Sequence, residues 1–136
     1  MAIELTNEMK ECLKTQGIVP LATASKKGVP NVVPVGMIFP GEDGKIWIID
    51  NFMCKTLRNI EENPVASFYL WSRDFKDGCW QVKGKIECID SGADYEKAVT
   101  IAHSRMESAP AKHLLKMDIC AIYTVAPGPE AGKKIC

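Results

Sequence analysis

The chain has 136 residues, is 46% hydrophobic and balances 17 Lys and Arg against 17 Asp and Glu, for zero net charge. That is enough apolar material for one domain with a core, expected over residues 1–125 with a flexible tail at 126–136. A nucleic-acid partner is not expected without a basic excess, and no run reaches the roughly 18 apolar residues of a membrane span. The charged opening stretch at 1–14 does not read as a secretory signal, so the expected location is cytoplasmic.

Thr6 can cap a first helix running to about Thr15, with Met9, Cys12 and Leu13 on one face and Gly17 as its stop. A short strand at 18–25 leads into Lys26-Lys27-Gly28, a hairpin turn signal. The next strand is predicted over 29–39 with Pro30 and Pro34 inside it. Proline removes a ladder donor, so part of this strand belongs at an edge or opening of the sheet. There the backbone of Val35, Gly36 and Met37 could face a ligand, and Gly36 would let a flat ring approach closely; an ordinary barrel corner explains the same pattern.

A third strand is predicted over 45–50, followed by a short helix closed by Asn63-Pro64, then strands over 65–71 and 79–89 with a turn at 74–78 between them. Gly84 inside the last of these suggests a bulge. A helix with Tyr95, Ala98, Val99, Ala102 and Met106 on its buried face precedes a sixth strand over 119–125. Short connections imply antiparallel pairing. The expected fold is mainly β with peripheral helices: a small six-stranded antiparallel barrel, closed or split.

The run from Asp50 to Pro64 carries the most chemical information. Lys55-Thr56 falls at the start of the short helix, where free backbone N–H groups and the positive end of the dipole favour an anion. Lys55 adds a charge and Thr56 a hydroxyl, which makes a plausible seat for one phosphate. The plainer reading is that Thr56 caps the helix and Lys55 is a solvated charge.

The cysteines at 12, 54, 79, 88, 120 and 136 form no C-x-x-C pair, so zinc and iron–sulfur spacings are missing and no metal site is expected. Cys12, Cys88 and Cys120 lie in apolar patterns and read as buried, Cys136 as exposed, and Cys54 as structural. There is no G-x-G-x-x-G, Walker loop or nucleophile elbow. His103 and His113 lie far in sequence from the Lys-Thr turn. A site poor in acid–base groups, with one phosphate seat, suits a cofactor that carries the chemistry itself.

Taken in order, the helix ending at Gly17, Leu21-Ala22-Thr23, the run from Gly28 to Val35, the run from Lys55 through Asn59 to Pro64, and Gln81-Val82-Lys83-Gly84 resemble the pyridoxamine 5′-phosphate oxidase-like, FMN-binding split-barrel family. The resemblance covers residues 6–125. It implies a split barrel and a homodimer with FMN at the subunit interface. It implies a flavin phosphate at Lys55 and Thr56, a ring near Val35, Gly36 and Met37 and near Asp50 and Asn51, and Gln81 facing the flavin. The implied activity is that of an FMN-dependent oxidoreductase or flavoprotein electron carrier. The chain departs from true pyridoxamine phosphate oxidases in having only Arg58, Arg73 and Arg105 and an unmatched tail, so oxidation of a vitamin B6 phosphate is not expected.

Two other readings compete. One is a barrel that binds haem or another ligand, with His103 as the candidate haem ligand. The other is a cofactor-free structural or regulatory dimer. Phe52, Trp71 and Trp80 could shield a flavin ring or simply pack in the core or a dimer contact.

Overall fold

The computed structural model describes residues 2–76 and 78–136; Met1 and Asp77, the latter within the turn expected at 74–78, lie outside the described residues. The elements are α1 (Asn7–Gln16), β1 (Val19–Ala24), β2 (Pro30–Val35), β3 (Ile38–Pro40), β4 (Ile46–Asp50), α2 (Lys55–Glu62), β5 (Val65–Trp71), β6 (Cys79–Ile89), α3 (Ala93–Arg105), β7 (His113–Thr124) and β8 (Lys133–Lys134). All strand pairs are antiparallel. The sheet order is β2-β1-β5-β6-β7-β4-β3, with β8 attached to β7.

The strand count differs from the six expected: seven strands make the continuous path and a two-residue strand lies off it. The added strand arises where residues 29–39 divide. β2 follows β1 only as far as the Val35–Val19 pair, where β1 begins. Beyond it the chain bends at Gly36 and Met37, and β3 pairs with β4 instead. β2 and β3 thus stand at opposite ends of the sheet order while only Gly36 and Met37 separate them in the chain. The sheet must curl until its two edges meet there. That meeting line is the seam of the half-barrel, and Pro30 and Pro34 lie on its edge strand, where a missing ladder donor costs least.

β7 is also longer than expected, beginning at His113. Polar His113 and Lys116 obscured its first half. Lys116 is nevertheless buried, because Asp43 and Asp94 both bind its ammonium group, at 2.8 and 2.9 Å. The Gly84 bulge is present: the β6–β7 register shifts between Lys83 and Gly84, and a Cβ at Gly84 would run into the Asp118 carbonyl. In the segment expected as a tail, Lys133 and Lys134 pair with Thr124 and Tyr123.

The core fills the curl. Leu21, Ile46, Ile48, Phe68, Leu70, Met117 and Ile122 are fully buried, and each such side chain contributes about 1.5–3 kcal/mol of transfer free energy. α1 lays Met9, Cys12 and Leu13 on this core, and Thr6 caps it by accepting the Met9 N–H at 3.3 Å. A smaller cluster of Trp47, Ile49, Ala98, Ala102 and Leu114 seats α3 against β4 and β7. α3 ends at Arg105, so Met106 lies beyond the helix and is exposed rather than on its buried face. Cys88 and Cys120 are exposed as well: Cys120 alternates outward with Asp118, and Cys88 sits at the uncovered end of β6. No described helix is long and apolar enough to cross a membrane.

Candidate functional site

A cavity of about 360 Å³ opens along the seam. Residues 33–37 form one wall, and residues 51–56 with Ile49 form the other. Of the candidate residues, Val35, Gly36, Met37, Asn51, Lys55 and Thr56 therefore share one cavity. Asp50 and Gln81 do not line it. The bend between β2 and β3 presents the first group, and the exit of β4 into α2 presents the second.

The start of α2 is open to an anion. Cys54 occupies the cap position, but its side chain makes no capping hydrogen bond, and the first intrahelical bond runs from the Arg58 N–H to the Cys54 carbonyl at 3.1 Å. The first-turn N–H groups thus have no intrahelical partner, and the dipole points its positive end at the cavity. Thr56 is the second helical residue and not the cap, which removes the plainer reading of it.

Thr56 is held by contacts that sequence reasoning missed. It is buried, and its Oγ1 accepts a hydrogen bond from Asn31 Nδ2 at 3.0 Å. Asn59 Nδ2 donates to Thr23 Oγ1 at 3.0 Å, and Asn31 Nδ2 also lies 3.4 Å from that oxygen. These four neutral side chains tie the first turn of α2 to β1 and β2. With its acceptor side engaged by Asn31, the Thr56 hydroxyl is left to donate its proton. The only local hint was Asn59, one helical turn after Thr56; Asn31 is brought in by the Thr23–Asn31 cross-strand register.

Asp50 supports the second wall from beneath. It is fully buried; one carboxylate oxygen accepts the Met53 N–H at 2.9 Å, and the other lies 2.8 Å from His113 Nδ1. His113 is its direct partner in the β4–β7 register, a pairing that no sequence spacing signals. Asn51 spans the site: Nδ2 donates to Met37 Sδ at 3.2 Å, and Oδ1 accepts the Ala111 N–H at 2.9 Å. Gln81 stands on β6 between Tyr69 and Tyr123. Among the candidate shields, Phe52 lines the cavity and is 74% exposed, Trp80 is in the core, and Trp71 meets Phe75 in a tilted pair with ring centroids 5.7 Å apart. His103 Nε2 lies 3.0 Å from the Ala109 carbonyl and is thereby engaged in its own loop.

The family model described as pyridoxamine 5′-phosphate oxidase matches residues 5–126. An uncharacterised protein of Methanocaldococcus jannaschii is 38% identical over 135 residues, which are 98% of this chain and 89% of that protein. The crystal structure of HupZ from group A Streptococcus superposes with a TM-score of 0.80 at 27% identity, covering 94% of this chain and 99% of that one. An FMN-binding protein from Syntrophomonas wolfei shares the fold with a TM-score of 0.69 at 15% identity, over 87% and 84% of the two chains. So does the haem storage protein HutZ from Vibrio cholerae, with a TM-score of 0.68 at 14% identity over 90% and 95%.

Proposed function

The chain belongs to the pyridoxamine 5′-phosphate oxidase family, and from that premise we propose that it is a homodimeric flavoprotein, an oxidoreductase or electron carrier that binds FMN in the seam cavity. The observation that carries this reading is the uncapped start of α2, which faces the cavity with Lys55 and Thr56 beside it. An uncapped helix start with an adjacent ammonium and a hydroxyl donor is the donor set a phosphate monoester needs. The opposite wall suits a ring. A Cβ at Gly36 would meet only Ile18 Cδ1, at 3.8 Å, so the backbone there is free to lie against a flat group.

FMN bound there would supply the redox chemistry. The chain's own residues bind and orient. Lys55, Thr56 and the first turn of α2 fix the phosphate; Asn51 and the residues at 35–37 border the ring; Phe52 covers the mouth. None of Arg58, Arg73 and Arg105 is among the described residues that line the cavity, so this chain offers a single phosphate seat there. In the competing haem reading His103 would have to bind through Nδ1, because Nε2 lies 3.0 Å from the Ala109 carbonyl.

Titration of FMN and riboflavin into the purified protein tests the proposal. Charge-assisted bonds contribute about 1.5–3 kcal/mol, so FMN should bind roughly ten- to a hundredfold more tightly than riboflavin. Equal affinities would overturn the phosphate seat. A Soret band in freshly purified protein would favour the haem reading, and a colourless protein indifferent to FMN a cofactor-free dimer.

A further inference from the structure

A second cavity, of about 670 Å³, opens on the other side of Gly36, which lines both. Its floor is apolar but narrow: Leu13 of α1 and Ile38 of β3 are buried beneath it, and half-buried Phe39 and Pro40 of β3 supply its surface. Its rim carries Lys10 and Lys14, one helical turn apart on α1, and Arg105 at the end of α3; Glu11 is the one acidic side chain among the described lining residues. Elsewhere in the barrel the buried Lys116 and the half-buried Lys45 are paired with aspartates. Among the described residues, none of the three rim cations has a carboxylate within ion-pair distance. Arg105 lies instead over the Phe39 ring, 5.0 Å from its centroid.

We propose that this groove binds a flat, anionic organic molecule. Its ring would rest against Pro40 and the part of Phe39 that Arg105 does not cover, and its carboxylate, phosphate or sulfonate would meet Lys10, Lys14 and Arg105. A planar guanidinium already stacked on an aromatic ring keeps its N–H fork free for an anion, and lysines four residues apart on a helix project to one side. A bare inorganic anion would use the cations and waste the floor; a neutral aromatic would use the floor and leave the cations unanswered. Because Gly36 borders both cavities, such a ligand would lie across Gly36 from the flavin of the proposed site, and its assignment as that site's small-molecule co-substrate rests on the FMN reading.

The probe is 8-anilinonaphthalene-1-sulfonate, with N-phenyl-1-naphthylamine as its ring without the sulfonate, titrated by fluorescence with and without saturating FMN. The sulfonate dye should bind at least about tenfold more tightly than the neutral one, on the scale of a charge-assisted contact. The pair Lys14→Gln and Arg105→Gln should abolish that preference and leave FMN affinity unchanged, with no more than the small loss of melting temperature expected from removing the Arg105–Phe39 contact. An unchanged dye preference in the double variant, or equal losses for both dyes, would overturn the groove. So would displacement of the dye by FMN. Protein that ignores FMN but loses the sulfonate dye in the variant would keep the groove and sink the flavin reading. With FMN bound, saturating dye should shift the flavin's visible absorption; an unmoved band would overturn the co-substrate assignment.

Discussion

Two residues separate the chemistry of the seam cavity from its architecture. Lys55 is exposed and Thr56 is buried, so their substitution should fail in different ways. Lys55→Ala removes a charge that makes no ion pair among the described residues; FMN should weaken roughly ten- to a hundredfold, with riboflavin and the melting temperature nearly unmoved. Thr56→Val keeps the shape, loses the hydroxyl, and leaves Asn31 Nδ2 only its 3.4 Å contact with Thr23 Oγ1, so both FMN affinity and stability should fall, the latter by about 0.5–1.5 kcal/mol. Fluorescence quenching with both flavins, read beside thermal melts, checks both variants. Riboflavin weakened as much as FMN by Lys55→Ala would sink the phosphate assignment.

Asp43 should contribute to an acid limit on stability. Burial pushes its carboxyl upward, but hydrogen bonds from Lys116, the Lys45 N–H and the Trp47 indole outweigh that and hold it below its ordinary 3.8. A depressed carboxyl contributes its stability in full above the unfolded value and loses it as pH falls through the folded one. Lys116 is held above its ordinary 10.5 by its hydrogen bonds to Asp43 and Asp94, so its contribution is full at neutral pH and is lost only as strongly alkaline pH is approached. Melting temperature should therefore drop below about pH 4, and Asp43→Asn should shallow that drop relative to the parent. Parallel acid limbs for the two proteins would show that Asp43 is not the group responsible.

Elements were legible wherever their signals are local. The Thr6 cap, the Gly17 stop, the turn at 26–28 and the strands at 65–71 and 79–89 all appear as the sequence predicts, because caps, turn residues and alternation act within a few positions. What escaped is what non-local partners decide. β7 looked shorter because Lys116 reads as a surface residue until Asp43 and Asp94 are known to flank it. The predicted strand at 29–39 broke because β1 runs out at Val19. In the candidate site, the Lys-Thr turn and the residues at 35–37 could be found from spacing and from the prolines, whereas Asn31 and His113 enter only through cross-strand register.

Gly84 tests the element scale. The bulge brings β7 so close that a Cβ at Gly84 would strike the Asp118 backbone oxygen and the Met117 side chain. The side chain can yield, but the backbone cannot without moving the strand. Gly84→Ala should cost about 1–3 kcal/mol, read as a lower denaturant midpoint with an unchanged m-value. An unchanged midpoint would mean that the strands separate there at no cost.

At the scale of the whole molecule, the seam raises the question of what covers it. Its edge strand β2 presents Val32 at 64% exposure, with Val29, Ile18 and Phe52 also largely exposed along the same edge and the cavity mouth. Zero net charge offers little repulsion to a second copy. In the proposed dimer the partner closes the cavity, so assembly and FMN binding are linked: each should raise the other's apparent affinity. Val32 separates this link from direct contact, because it is exposed on the edge strand and does not line the cavity. Val32→Glu should give a monomer by light scattering, with a fold that still melts cooperatively, and FMN should bind at least about tenfold more weakly although every cavity-lining residue is unchanged. The parent should gain roughly 2.7 kcal/mol, or about 5–15 °C, at a hundredfold excess of FMN over its Kd, and the variant much less at the same concentration. A Val32→Glu protein that stays dimeric would place the interface elsewhere, and a monomer that binds FMN as tightly as the parent would show that one chain closes the site by itself.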